Sequence, residues 1–216
     1  MNIYFISGLG ADRRAFDKIK LDQDFNVHYI DWLEPIKKED LKSYAERMAS
    51  SIDKISPFAL VGLSFGGIIA IEISKLYPAQ KVILISSISN QSELPWYHKS
   101  IGKLGIQNTK LIELLKYKKD LLHWFFGTTS ARLKNYLNEM IDKTSIHYLQ
   151  WSLNQILNWN QINKPKNVLH IHGEKDKLFP TTFCKPDYTI SKGGHFMIVT
   201  HANQISEIIN HSLHSI

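Results

Sequence analysis

The chain has 216 residues, which suits one α/β domain with a covering segment and leaves no room for a second full domain. Hydrophobic residues make up 44% and charged residues 21% of the sequence, near the averages of globular proteins, so we expect a packed core rather than disorder. The formal net charge is +6, but the lysines are spread over many segments, and we expect no nucleic-acid partner.

Five short apolar runs predict β-strands that alternate with helical patterns. These runs cover residues 2–6, 26–30, 58–61, 81–85 and 167–171. Such runs are typical of parallel strands that are buried on both faces of a sheet. Between the second and third runs, apolar residues recur at helical spacing from Leu41 to Ile55. Residues 65–76 are apolar almost all round, which predicts a deeply buried helix.

The alternation breaks over residues 89–164, which we interpret as a helical cap inserted into a single domain of residues 1–216. Strand patterns vanish there, and helical spacing appears at residues 133–141 and 146–157. Four of the five tryptophans lie in this segment: Trp96, Trp124, Trp151 and Trp159. Afterwards the alternation resumes with a short strand at 187–190. The chain closes with an amphipathic helix carrying Ala202, Ile205, Ile209 and Leu213.

This order of elements predicts a doubly wound α/β fold with a mostly parallel sheet and helices on both faces. Right-handed crossovers between parallel strands limit the possible windings. In such sheets ligands bind outside the carboxyl ends of the strands. Functional residues are therefore expected in the turns after Ile6, Val61, Ile85 and Ile171.

One of these turns, Gly62-Leu-Ser64-Phe-Gly66-Gly67, has the G-x-S-x-G pattern between a predicted strand and a predicted helix. In a nucleophile elbow the serine is held in a strained backbone conformation and exposed to substrate. A side chain at Gly62 or Gly66 would collide with the neighbouring strand or helix. We predict Ser64 as a nucleophile; the alternative is an ordinary glycine-rich turn that caps a helix.

A serine hydroxyl needs a base, and the base needs a partner that fixes its tautomer. Asp176 follows the strand ending near Ile171, and His195 follows the next short strand on a glycine turn. We predict that Asp176 is the acid and His195 the base. A turn-capping role is the alternative for Asp176, and a surface or core role is the alternative for His195.

Acyl transfer also needs donors for a developing oxyanion. One is commonly the backbone N–H that follows the nucleophile, and the other comes from the loop after the first strand. These positions are Phe65 and Leu9. Asp12, in the same loop as Leu9, fits a helix N-cap better than a catalytic role.

The sequence predicts no metal and no cofactor. His170 and His172 share a strand face, but no third ligand is placed, and packing accounts for them more simply. Cys184 is the single cysteine, so no internal disulfide forms. No run resembles a signal peptide or a membrane span, and we expect a cytoplasmic protein.

On these residues the chain resembles the α/β-hydrolase superfamily over essentially its full length apart from the cap. The resemblance rests on Gly62-Leu-Ser64-Phe-Gly66-Gly67, on His172-Gly173-x-x-Asp176 with Pro180, and on Gly194-His195. The chain looks most like small bacterial carboxylesterase-like members that are reduced at the N-terminus and begin at the strand before the oxyanion loop. The resemblance implies a Ser64, Asp176 and His195 triad and a metal-free mechanism.

Two features depart from the family pattern. Ser7-Gly8 stands where the family often has His-Gly, which bears on the oxyanion site. Only 18 residues separate Asp176 from His195, so we expect the helix between them to be lost or shortened.

The leading hypothesis is a serine hydrolase, a carboxylesterase or thioesterase, acting on a small or medium apolar acyl substrate. One alternative is a ligand receptor that has kept the fold and turns over slowly. Another is a cofactor-free acyltransferase, lyase or carbon–carbon hydrolase with the same triad. The sequence determines neither the substrate nor the oligomeric state.

Overall fold

The computed structural model describes residues 1–103 and 109–216 and contains a six-stranded sheet whose strands are all parallel. The strands are β1 (Asn2–Ile6), β2 (Asn26–Ile30), β3 (Phe58–Leu63), β4 (Lys81–Ile85), β5 (Val168–Gly173) and β6 (Tyr188–Ile190). Their spatial order is β2-β1-β3-β4-β5-β6. The predicted α/β class and parallel sheet are therefore confirmed.

The helices are α1 (Leu41–Met48), α2 (Phe65–Leu76), α3 (Trp96–Lys103), α4 (Thr109–Tyr117), α5 (Lys119–Phe126), α6 (Ala131–Lys143), α7 (Ile146–Asn158), α8 (Met197–Thr200) and α9 (Ala202–His214). Short 3₁₀ turns occur at Arg13–Phe16, Ala49–Ser51 and Gln91–Glu93. In the first of these turns Asp12 is the N-cap and accepts the N–H of Arg14, as predicted.

The strand order reverses between β1 and β3. The chain passes from β1 outward to β2, then returns to the other side of β1 and continues from β3 to β6. Such a reversal leaves a crevice at the carboxyl ends of the two strands that flank it, where α/β proteins bind ligands. In this chain that crevice lies beside the loop after β1 and the turn after β3.

Two apolar layers cover the sheet because successive side chains of a strand point to opposite faces. Tyr4 and Ile6 pack on one face with α1 and α2, whereas Ile3 and Phe5 pack on the other with α8 and α9. Helix α2 begins and ends where the apolar run predicted, and its residues from Phe65 to Ile73 are buried.

Two predictions about local structure were wrong. Strand β2 is not buried on both faces: Val27 is 39% and Tyr29 is 42% exposed, because this strand lies at the edge of the sheet. The helical pattern expected to reach Ile55 ends at Met48, and Ile55 is 98% exposed. The Asp53 side chain accepts the N–H of Ile55, a local hydrogen bond that competes with the helix.

Helices α3 to α7 follow β4 and precede β5 along the chain, in the segment interpreted as a cap. Residues 104–108 of this segment lie outside the described residues. Two of its tryptophans tie it to the sheet layer. Trp159 Nε1 donates to Glu72 Oε1 of α2 at 2.7 Å, and Trp151 Nε1 donates to the Glu39 carbonyl at 2.8 Å. Trp96 and Trp124 are instead exposed.

No helix within residues 1–103 and 109–216 is both long and apolar enough to cross a membrane.

Candidate active site

Ser64 stands between β3 and α2 in a strained backbone conformation, with φ of +51° and ψ of −120°. The glycines around it are required by close approach. A Cβ at Gly62 would lie 2.4 Å from the Gly66 carbonyl oxygen and the Gly67 Cα, and one at Gly66 would lie 2.3 Å from the carbonyl oxygens of Ile6 and Ser7. The predicted collisions with the helix and with the end of a neighbouring strand are confirmed.

Backbone contacts fix the turn that carries Ser64. The Ser64 N–H donates to the Ile85 carbonyl at 2.9 Å, which joins it to the end of β4. The Ser64 carbonyl accepts from the Gly67 N–H at 2.9 Å and from Ser87 Oγ at 2.7 Å. Ser87 was not singled out from the sequence, because its role arises only when the turn after β4 reaches the turn after β3.

The loops that carry Asp176 and His195 are joined directly to each other. The Lys175 N–H donates to the Gly193 carbonyl at 2.7 Å, and a Cβ at Gly173 would lie 2.4 Å from that same oxygen. Residues 174–187 contain no helix, as the short separation predicted. Because Gly173 and Gly193 approach closely, the short segment between Asp176 and His195 is long enough to bring both loops together.

The structure brings Ser64, His195 and Asp176 into one hydrogen-bonded line. His195 Nε2 lies 3.0 Å from Ser64 Oγ, and His195 Nδ1 lies 2.8 Å from Asp176 Oδ2. His195 and Asp176 are buried, whereas Ser64 is partly exposed. Because an ionised carboxylate only accepts, Nδ1 carries the proton and Nε2 is free to accept from the serine hydroxyl.

The Asp176 carboxylate is held by donors on both oxygens. Its Oδ1 accepts the N–H groups of Leu178 and Phe179, both at 2.9 Å. Burial on its own raises the pKa of this carboxyl group, but the neighbouring His195, with smaller effects of His172 and the Phe179 N–H, outweighs burial and lowers the pKa below its ordinary value. Asp176 therefore stays ionised at neutral pH.

Two phenylalanine rings hold the imidazole of His195 from different elements. Phe126, at the end of α5, and Phe179 meet it edge-on, with ring centroids 5.2 and 5.6 Å from that of His195. The Phe196 N–H donates to the Phe126 carbonyl at 3.3 Å, which fastens α5 to the His195 turn. No sequence pattern separated these two phenylalanines from the chain's other aromatic residues.

The predicted oxyanion residues lie on either side of Ser64. Phe65 is the first residue of α2, where a backbone N–H has no partner within the helix. Leu9 lines the same cavity as Ser64, and a Cβ at Gly8 would lie 3.3 Å from Ser64 Cβ. The structure thus places both candidates close to the hydroxyl; their binding of an oxyanion stays a prediction.

Ser7, which stands where the resembling family often has histidine, fastens the loop after β1. Its hydroxyl donates to the Ala11 carbonyl at 2.6 Å and accepts from Trp32 Nε1 at 2.9 Å. Trp32 Nε1 also lies 3.1 Å from the Gly8 carbonyl oxygen. Trp32, to which no sequence pattern assigns a role, therefore fixes the backbone that presents Leu9.

A cavity of about 260 Å³ opens onto Ser64 and His195. Most of its lining is apolar, and helices α6 and α7 contribute Met140, Ile141, Leu149, Leu153, Ile156 and Leu157. The polar side chains along its described walls are those of Ser64, His98, Lys116, Thr144 and His195. His98 Nε2 lies 2.9 Å from the Leu178 carbonyl, and burial lowers the pKa of this histidine. The cavity can therefore enclose an apolar group next to the Ser64 hydroxyl.

Among the described residues no group of three or more His, Cys, Asp and Glu side chains is arranged to hold a metal ion. His170 and His172 are fully buried and hydrogen-bonded to each other at 3.0 Å. Cys184 is a buried free thiol, and burial raises its pKa.

No family model and no curated protein matches the chain. Solved structures do resemble it. An esterase from Thermogutta terrifontis is 12% identical, with a TM-score of 0.73 over 100% of this chain and 90% of that one. An esterase from Exiguobacterium antarcticum is 19% identical, with a TM-score of 0.74 over 97% of this chain and 90% of that one.

A hydrolase from Oleispira antarctica is 16% identical to the chain, with a TM-score of 0.75 over 97% of this chain and 89% of that one. At these identities the likeness concerns the course of the backbone and not the chemistry. With the parallel sheet and the turn at Ser64, it shows that the chain has the fold of the α/β-hydrolase superfamily.

Proposed function

We propose that the protein is a serine hydrolase that cleaves an ester-like or thioester bond of a small or medium-sized, largely apolar substrate through an acyl-enzyme on Ser64. The observation that carries this proposal is the Ser64–His195–Asp176 line at the wall of an apolar cavity. The similarity in fold to esterases supports it.

In the proposed reaction His195 Nε2 takes the proton of Ser64 as Oγ attacks the acyl carbon. Asp176, which accepts from His195 Nδ1, stabilises the imidazolium that forms. The imidazolium then gives its proton to the leaving group, and the acyl group stays on Ser64. His195 takes a proton from water as the water attacks the acyl-enzyme, and the imidazolium then gives a proton to Ser64 Oγ as the acid is released.

Negative charge develops on the carbonyl oxygen in both steps. The N–H groups of Phe65 and Leu9 are the donors that we assign to it, and the amino terminus of α2 adds a favourable dipole. Ser7 and Trp32 contribute by holding the loop, because the oxyanion must meet donors that are already in place.

The proposed acyl site is the cavity between the carboxyl ends of the strands and helices α5 to α7. Its volume of about 260 Å³ suits a small or medium acyl group. In this proposal the helices between residues 89 and 164 form the cap of a single domain, and α6 and α7 supply the cavity's apolar wall.

The test is hydrolysis of p-nitrophenyl esters of graded chain length by the wild type and by Ser64→Ala. We expect kcat/KM of the variant to fall by more than about 1,000-fold, because the nucleophile is removed. Ser50→Ala, at an exposed serine in the turn after α1, is the matched control and should keep full activity. Undiminished activity of Ser64→Ala would overturn the proposal.

A fluorophosphonate probe separates hydrolysis from the other uses of the same residues. Covalent labelling of wild type but not of Ser64→Ala is expected, since the probe reacts with activated serines. Labelling without ester turnover would favour a slow-turnover receptor or a transferase. Absence of both labelling and turnover would contradict the proposal that Ser64 is an activated nucleophile.

A further inference from the structure

A fully buried histidine on β5 lies directly behind the proposed acid. His172 precedes Asp176 by four residues, and the side chains of both are 0% exposed. The proposed reaction does not use His172, which does not line the cavity along the described walls. A buried imidazole must nevertheless satisfy both ring nitrogens, so its partners define what it can do.

The contacts of His172 fix its tautomer. Its Nε2 lies 2.7 Å from the Phe179 carbonyl oxygen, which can only accept, so Nε2 carries a hydrogen. Its Nδ1 then accepts from His170 Nε2, which lies 3.0 Å away. Burial lowers the pKa of His172, in agreement with a neutral ring.

The same Nε2 lies 3.3 Å from Asp176 Oδ2, the oxygen that accepts from His195 Nδ1. Asp176 Oδ2 therefore faces two imidazoles, one from β5 and one from the turn after β6. The Phe179 carbonyl holds His172, and the Phe179 N–H holds Asp176 Oδ1, so one residue locks both groups.

We propose that His172 is a positioning residue, whose Nε2–H, anchored on the Phe179 carbonyl, keeps Asp176 Oδ2 directed at His195 and takes up part of that oxygen's charge. This inference rests on the proposed hydrolase function. His172 neither lines the cavity nor contacts Ser64, so it acts through Asp176 and through Phe179, whose carbonyl it binds.

Two consequences follow. Loss of His172 loosens the placement of Asp176 Oδ2, although the N–H groups of Leu178 and Phe179 still hold Oδ1 and the hydrogen bond to His195 persists. We therefore expect kcat to fall and KM to change little, because His172 does not line the cavity. Loss of His172 also removes the Nε2–H dipole that lies 3.3 Å from Asp176 Oδ2, so that oxygen keeps more of its charge for His195 and stabilises the imidazolium more strongly. In the pH profile of kcat/KM, the acidic limb reports deprotonation of the catalytic base in the free enzyme. We expect this limb to move to higher pH.

Other titratable groups act on this pair in the part of the chain that the structure describes. His170 lies on the same strand, Glu93 acts on His172, and Tyr97 and Cys184 are affected by Asp176. None of them is substituted in the variants below. His170 Nε2 loses its acceptor in His172→Phe, so a shifted limb reports on His172 together with this hydrogen bond.

The first experiment compares the wild type with His172→Phe and His172→Gln in ester hydrolysis, with active sites counted by fluorophosphonate titration. We expect His172→Phe to lose about 10- to 100-fold in kcat, as for a hydrogen bond to a charged group. The acidic limb of its kcat/KM profile should shift to higher pH by about 0.5 pH unit or more. His172→Gln, whose amide still donates, should recover both values.

A fall in activity that matches the loss of titratable sites, with an unmoved limb, would show a merely structural role and overturn the proposal. A limb that moves to lower pH would overturn it as well.

The second measurement needs no variant and stands even if His172→Phe does not fold. A long-range nitrogen–proton NMR spectrum of the wild type between pH 6 and 8 should show His172 as the neutral Nε2–H tautomer throughout. An Nδ1–H tautomer or a doubly protonated ring would overturn the proposal. This readout does not depend on turnover, whereas failure of the hydrolase function appears as unchanged activity in Ser64→Ala.

Discussion

The backbone at Ser64 shows how a single residue is held in an unfavourable conformation by its neighbours. A φ of +51° in a residue with a side chain persists only where the surroundings over-determine it. Here the Ile85 carbonyl, the Ser87 hydroxyl and the Gly67 N–H all bind the Ser64 backbone. Strain at this point projects the hydroxyl toward His195.

Gly66→Ala should destabilise the protein, because its Cβ would lie 2.3 Å from two carbonyl oxygens at the end of β1. We expect a loss of about 1–3 kcal/mol or more in the free energy of unfolding, measured by urea denaturation. The control is Gly194→Ala, whose Cβ would meet nothing nearer than 3.7 Å and should cost less than about 0.5 kcal/mol. Equal losses in both variants would contradict the steric argument.

At this scale the sequence identified the residues that carry a local signal. Ser64 and His195 lie on glycine turns that follow predicted strands, and Asp176 follows another strand, so pattern and spacing were enough to select these three residues as candidates. Ser87 and Phe126 carry no such signal, since each reaches the site only through a contact between distant segments.

Helix α7 contributes four of the residues that line the cavity. Leu149, Leu153 and Ile156 recur along one side of it at helical spacing, and all three line the cavity. The sequence predicted this helix as part of a cap, but the same spacing would suit a face that packs only within the cap. Its orientation toward Ser64 is a property of the tertiary structure.

Leu153→Trp should shift the ester preference toward shorter acyl chains, since the larger side chain fills part of the cavity of about 260 Å³. Within the proposed function, kcat/KM for the shortest esters should change by less than about threefold, whereas that for the longest accepted ester should fall by about tenfold or more. Leu114→Trp, at an exposed position of α4, is the control and should leave the series unchanged. A uniform fall across all chain lengths would refute this assignment of the wall.

The end of α1 illustrates the limit of periodicity. Apolar residues continue at helical spacing to Ile55, yet the helix stops at Met48. The Asp53 side chain satisfies the N–H groups of Ile55 and Ser56 locally, and the chain must turn there to enter β3. Spacing reports which residues would share a face, but it does not reveal a competing side-chain hydrogen bond.

At the scale of the whole molecule, the buried His170 makes the free energy of unfolding depend on pH. His170 is fully buried, and burial, with a smaller effect of His172, lowers its pKa from 6.5 to about 3. Below pH 6.5, His170 binds a proton in the unfolded chain but stays neutral in the folded chain until the pH approaches 3. The free energy of unfolding therefore falls as the pH drops from 6.5 toward 3 and is unaffected by this group above that window.

His170→Gln should make that decline shallower, because one group that titrates differently in the two states is removed. Between about pH 4 and 6 the slope of the free energy of unfolding against pH should decrease by about 1.4 kcal/mol per pH unit. Urea unfolding at several pH values measures it, and His211→Gln, at an exposed histidine, should keep the wild-type slope. Equal slopes in the wild type and His170→Gln would contradict the assigned cause.

The sequence by itself determined the strands, the helix after Ser64, the α/β class and the candidate nucleophile, acid and base. These follow from local physics: apolar runs indicate strands, and glycines mark turns where backbones come close. Only the tertiary structure decided which segments meet, namely the rings around His195, the anchoring of Leu9 by Trp32 and the histidine behind Asp176. Such contacts join residues far apart in the chain, and no periodicity or spacing encodes the distance between them.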